Sequence, residues 1–173
     1  MKNMLKWLSL RDIFILIVVL FSFAINKESG LYTPDPVGEL LEYISIHESN
    51  NNDKAVGGLG ERGRHQIMPF ILTNFNLYFG TGVELDMLTN KHMSEMVARY
   101  VLEWNLNYFK NEPPELRMVK SVSGYNTGYT LATNNVIRFS YVSNICPSVL
   151  KSVQRDYWIK WKGREYLKIG EKK

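Results

Sequence analysis

Residues 47 to 69, HESNNNDKAVGGLGERGRHQIMP, constrain the fold more than any other part of the chain. Just upstream, Val37, Leu40, Leu41 and Ile44, followed by His47 or Glu48, recur at spacings of three and four behind Asp35, a residue suited to an N-cap. That spacing predicts an amphipathic helix. The helix has to stop within residues 50–53, because Asn and Asp side chains compete for backbone hydrogen bonds. Gly57, Gly58, Gly60 and Gly63 then let the chain double back and allow close backbone approach. Glu48 therefore falls in the last helical turn, on or beside the apolar face. A carboxylate is costly there, since it meets low dielectric and the negative end of the helix dipole. It is either a solvated helix-end residue or one kept for chemistry, with Gln66 facing it across a cleft.

Two common motifs are mimicked here and neither holds. Gly58, Gly60 and Gly63 spell G-x-G-x-x-G, but a dinucleotide loop needs a buried strand before it, and residues 48–54 are polar and Asn-rich. His47-Glu48 opens like H-E-x-x-H, but the second ligand position holds Asn51. His65 and His92 lie far off with no Cys or acidic partner at ligand spacing, so all three histidines read as surface or core residues. No metal and no cofactor is expected. No Ser or Cys sits in a recognisable nucleophile turn. The single Cys146 excludes a disulfide framework and reads as a buried small hydrophobe.

The rest of the domain reads as helices. They cover residues 63–68 (ended by Pro69), 70–78, 91–110, 115–125 (stopped at Gly128) and 141–161, where Pro147 either kinks the helix or starts a second one. On the helix at 91–110, Met93, Met96, Val97, Tyr100, Val101, Trp104 and Tyr108 share a face, and Leu116, Val119 and Val122 mark the next. Alternating strand patterns are nearly absent. The expected class is all-α, with at most a small hairpin, in a single domain.

The ends carry information on compartment. Lys2, Lys6 and Arg11 precede an apolar run at residues 13–25 interrupted only by Ser22. Runs of ~10–14 residues are short for a membrane span and suit a signal peptide. Ser22 and Ala24 are spaced like a cleavage site, while the bulk of the run suits an uncleaved anchor. Residues 1–25 are thus a signal peptide or signal anchor, and either sends the remainder out of the cytoplasm, with membrane contact only through residues 13–25 if uncleaved. Residues 26–36, broken by Gly30, Pro34 and Pro36, read as a linker, residues 37–150 as the domain, and residues 151–173 as a basic helix or tail. That last stretch is either a solvated face or a patch drawn to an anionic polymer outside the cytoplasm. Nucleic acid is not an expected partner.

Glu48-Ser49, followed without a gap by Gly60, Gly63, Gln66, Ile67, Met68 and Pro69, resembles the E-S…G-A-x-G-L-M-Q-[IL]-M-P signature of the Slt-type lytic transglycosylases in the lysozyme-like superfamily. Gly124-Tyr125-Asn126-Thr127-Gly128 is similar to the family's A-Y-N-A-G, and Tyr141-Val142 to a later Tyr-Val. Three elements in chain order, across about residues 37–150, are far more specific than any one. The sequence departs from the pattern in having Gly57 where the family has Ser, Arg64-His65 in place of Leu-Met, and Thr127 for Ala.

The resemblance implies a lysozyme-like domain that cleaves the β-1,4 bond between N-acetylmuramic acid and N-acetylglucosamine in peptidoglycan glycan strands. Glu48 would act first as acid and then as base, yielding a 1,6-anhydro end. Gln66, Tyr125 and Asn126 would orient sugar and carboxyl, with Ser49 and Met68 also in the substrate-binding set. Cell-envelope machinery for secretion, conjugation or phage entry would be the partner, in the periplasm or envelope. Tyr78, Phe79, Trp104, Tyr108 and Trp158 either line a sugar cleft or pack the core. Two alternatives stay open. One is a hydrolytic muramidase of the same fold, which needs a second carboxylate ~6.5–9.5 Å from the first. The other is a peptidoglycan-binding or assembly protein without turnover.

Overall fold

The computed structural model describes residues 35–161 and 166–172. The expected export segment and most of the linker lie outside the described residues. From Pro36 onward the described residues belong to one compact unit, Pro36–Lys173. Its helices are α1 (Pro36–Ser49), α2 (Pro69–Phe79), α3 (Lys91–Tyr108), α4 (Pro114–Thr127), α5 (Tyr129–Thr133), α6 (Phe139–Ile145) and α7 (Pro147–Asp156), with a 3-10 turn at Leu85–Thr89. Three strands, β1 (Val136–Arg138), β2 (Tyr157–Trp161) and β3 (Tyr166–Lys172), form an antiparallel sheet in the order β1-β3-β2. The domain is mostly helical, as expected. Among the described residues no helix is long and apolar enough to cross a membrane.

Helix α4 is the axis of the unit. Leu116, Val119 and Val122 are buried on it as the spacing predicts, and so are Lys120, Ser121, Ser123 and Gly124. Small residues in its last turns let α3 come close. A Cβ on Gly124 would lie 3.3 Å from Asn105 Nδ2, which itself donates to the Ser121 carbonyl at 3.1 Å. Leu41 and Ile44 of α1 lock the first helix into the same core, each contributing ~1.5–3 kcal/mol by burial. The buried stripe of α3 is Ser94, Val97, Ala98, Leu102 and Asn105. It overlaps the expected face only at Val97. Met96, Trp104 and Tyr108 are exposed instead, because the side of α3 that meets its neighbours carries small and polar residues, which a pattern of large apolar ones conceals.

Three expectations are corrected. Residues 63–68 are not a helix but a tight β-like turn, in which Arg62 bridges both Val56 and Ile67. Gln66 there sits at φ 47°, a left-handed conformation that a continuing helix excludes. Pro69 opens α2 and ends nothing, since its missing N–H costs nothing in a first helical turn. The span 141–161 is two helices divided at Pro147, followed by strand from Tyr157. The basic segment 151–173 is accordingly helix only to Asp156. Beyond it, Leu167 and Ile169 are buried while Lys168 between them is exposed, the period-two pattern of a half-buried strand.

Candidate active site

Helix α1 ends as its Asn run dictates. Asn50 and Asn51 take φ of 55° and 63°, a region Asn tolerates better than most side chains. The Asn51 N–H reaches back to the Ser45 carbonyl at 3.2 Å, closing the helix end. The Ser45 hydroxyl donates to Asn51 Oδ1, and Asn51 Nδ2 donates to Glu42 Oε1 at 3.1 Å. Glu48, one residue before the end of the helix, is held half-buried by this arrangement.

The glycine loop docks onto that helix end. The Ser49 hydroxyl donates to the Arg64 carbonyl at 2.8 Å and accepts from the Asn52 N–H at 3.0 Å. Gly63, at φ 74°, packs so closely on the 3-10 turn that a Cβ would meet the Leu88 carbonyl oxygen at 2.1 Å. Arg64 and His65, polar where the family pattern is apolar, are both buried. Arg64 Nε donates to Asp53 Oδ1 at 2.7 Å, and its guanidinium lies 3.9 Å from Glu42. His65 Nδ1 pairs with Ser94 Oγ at 3.1 Å. Burial first, and the Arg64 charge second, lower the His65 pKa to about 4, so the ring is neutral near neutrality. Both departures from the pattern thus secure the loop.

Three aromatic and amide groups from later helices converge on Glu48. Asn126, near the end of α4, donates from Nδ2 to Glu48 Oε1 at 3.4 Å. Tyr125 donates its hydroxyl to the His65 carbonyl at 3.1 Å, tying α4 to the loop. Tyr141 of α6 lies beside Glu48, its hydroxyl buried and lacking a hydrogen-bond partner of good geometry among the described residues. Desolvation, and after it the Glu48 charge, push both phenols well above their ordinary pKa and keep them protonated donors. Arg138, at the end of β1, donates from Nη1 to Asn126 Oδ1.

A groove of about 680 Å³ runs beside this cluster, with Glu61, Met68, Trp104, Tyr125, Asn126 and Thr130 among its walls. Met68, Tyr125 and Asn126 are therefore brought to the groove, and Glu48 joins it through Asn126. Ser49 and Gln66 are not brought there: Ser49 is committed to the loop, and Gln66 Nε2 donates to the Gly63 carbonyl at 2.9 Å. Of the candidate aromatics, Trp104 lines the groove, and Tyr108 stacks on it at 5.3 Å. Tyr78 and Phe79 are exposed outside it, neither groove nor core. The side chain of Trp158 lies outside the described residues. Arg138 was missed by sequence reasoning, and Glu61, which the sequence places only in the loop, outside the family pattern, lines the groove. The signal for Glu61 was Gly57 itself: a Cβ there would fall 2.2 Å from Glu61 Oε2, so the Glu61 carboxylate fills the space that a side chain at residue 57 would take. Among the described residues, no three His, Cys, Asp or Glu side chains gather to hold a metal ion.

A half-buried carboxyl, an amide and two phenols thus lie together beside a groove in a mostly helical domain. The sequence profile of the transglycosylase SLT domain matches residues 25–141, and the chain belongs to that family. No curated protein matches it. Among solved structures, the 70 kDa soluble lytic transglycosylase from Escherichia coli is similar at a TM-score of 0.48, with 22% identity, over 68% of this chain and 17% of that one. The chain thus spans less than a fifth of that protein's length.

Proposed function

We propose that the domain is a lytic transglycosylase that cuts the β-1,4 bond between N-acetylmuramic acid and N-acetylglucosamine in peptidoglycan and leaves a 1,6-anhydro end. The observation that carries this reading is the Glu48–Asn126 contact, which joins two sequence elements 78 residues apart at the edge of the groove. Protonated Glu48 delivers its proton to the bridging oxygen as the bond breaks. The sugar's own N-acetyl group supports the developing oxocarbenium centre, which removes the need for a carboxylate nucleophile. Ionised Glu48 then takes the proton of the sugar's 6-hydroxyl, whose oxygen closes on the anomeric carbon. Proton and electron pair are both returned, and no water is consumed. Contacts across 3.4 Å in the free enzyme are of the kind that tighten on substrate. The apolar segment at residues 13–25 supports action outside the cytoplasm, at the cell envelope.

Glu61 favours one second reading, a hydrolase, because it gives the groove another carboxylate. Product analysis separates the two. Purified peptidoglycan digested by the full chain should release fragments with anhydro ends, each lighter by one water than a reducing end, and Glu61→Gln should leave that product unchanged. Reducing ends that disappear in Glu61→Gln would establish hydrolysis instead. Binding to the polymer with no soluble fragment released would leave a non-catalytic role.

A further inference from the structure

We infer that Arg138 is a positioning residue for Glu48, acting through Asn126. The inference rests on the proposed function for its kinetic part and on geometry for its structural part. An Asn amide presents one accepting and one donating end, which differ only by a half-turn about the side chain's last torsion. Glu48 needs the donating end, because an amide oxygen turned toward a carboxylate repels it. Nothing in Asn126 alone sets that choice. Arg138 sets it: a guanidinium only donates, and Arg138 Nη1 donates to Asn126 Oδ1, so Nδ2 is the end that faces Glu48. Donation to the amide oxygen also polarises the amide and makes its N–H the stronger donor.

Arg138 is held for this task from two sides. Its backbone N–H donates to the Ser123 hydroxyl at 3.1 Å, one turn before Asn126 on the same helix. Its strand is pinned by β3, with Arg138 opposite Tyr166 and Ile137 opposite Leu167. The C-terminal sheet therefore reaches the acid–base site: it fixes the register of Arg138, which donates to Asn126. The Asn126 amide links Arg138 and Glu48, accepting from Arg138 at Oδ1 and donating to Glu48 from Nδ2.

The test uses the full chain on soluble, uncross-linked glycan strands, with Arg138→Met, Arg138→Lys, Asn126→Ala and the Arg138→Met/Asn126→Ala double variant. Arg138→Met is expected to lower kcat about tenfold, a coupling of the size found within one hydrogen-bond network, while KM stays near that of the wild type. Lys, which keeps one donor, should restore part of kcat. In the Asn126→Ala background the Arg138 substitution should cost nothing further, since its target is gone. An undiminished kcat in Arg138→Met, or an equal loss with and without Asn126, overturns the inference. Folding is controlled by thermal midpoints, and a second measurement does not depend on turnover: the Asn126 side-chain amide resonances should shift in Arg138→Met and return toward wild type in Arg138→Lys. Unchanged resonances overturn the positioning role. An absence of any anhydro product from wild type overturns the proposed function, and the resonances then decide the positioning role separately.

Discussion

His65 occupies a position where the family pattern has Met, and its cost shows in acid. The unfolded chain protonates this ring near 6.5 and the folded one near about 4. The unfolded state thus binds more protons across that window, so the His65 contribution is complete above 6.5 and is lost as pH falls toward 4. The loss is on the order of 3 kcal/mol for a side chain 2% exposed. Denaturant unfolding at several pH values should show the decline, and His65→Met, which cannot titrate, should lose much less stability across the same range. Gly57 and Glu61 form a second residue-scale dependency. Gly57→Ser forces the Glu61 carboxylate away and breaks its 2.8 Å bond from the Leu59 N–H, a loss of ~1 kcal/mol. The thermal midpoint should fall in Gly57→Ser and fall by less when Glu61→Ala is already present; equal falls would separate the two positions. That Glu48, Tyr125 and Asn126 lie together was legible because motif elements pick out all three. Arg138 was not, because its contact with Asn126 comes from three-dimensional adjacency with no local signature.

The loop between α1 and α2 is held by conformations that sequence patterns specify only in part. Glycines and an Asn run announce a turn, which the chain makes, but the β-like bridges at Arg62 depend on partners brought in by the turn itself. Gly63 is its least replaceable position. Gly63→Ala combines a left-handed backbone with a Cβ 2.1 Å from a backbone oxygen that cannot swing aside. A loss above ~3 kcal/mol is expected from two such penalties at once. Chemical denaturation of Gly63→Ala measures it, and a change below 1 kcal/mol would mean that the loop adopts another path. The C-terminal strands were illegible for a different reason. Leu167 and Ile169 alternate with polar residues over too short a run to outweigh the helical period of the preceding segment, and pairing across β1 decides the outcome.

At the scale of the whole molecule, the domain brings Glu48, Asn126 and Arg138 together from three separate stretches of chain beside the axis supplied by α4. The mostly helical class was legible because helical periodicity is local. The joining of the sheet to the site was not, since β1 and β3 meet only in the folded chain. Removing residues 157–173 deletes β2 and β3 and strips Leu167 and Ile169 from the core. The expected loss is roughly 3–6 kcal/mol from those two side chains, together with loss of activity as β1 is left without a partner; thermal unfolding and product release check both. The proposed reaction turns on Glu48 moving the proton. The most direct measurement is therefore the rate of anhydro-product release by Glu48→Gln, which keeps an acceptor for Asn126 but cannot donate as an acid. A fall of at least about 100-fold with an unchanged thermal midpoint is predicted. Release at the wild-type rate would contradict the account at its centre.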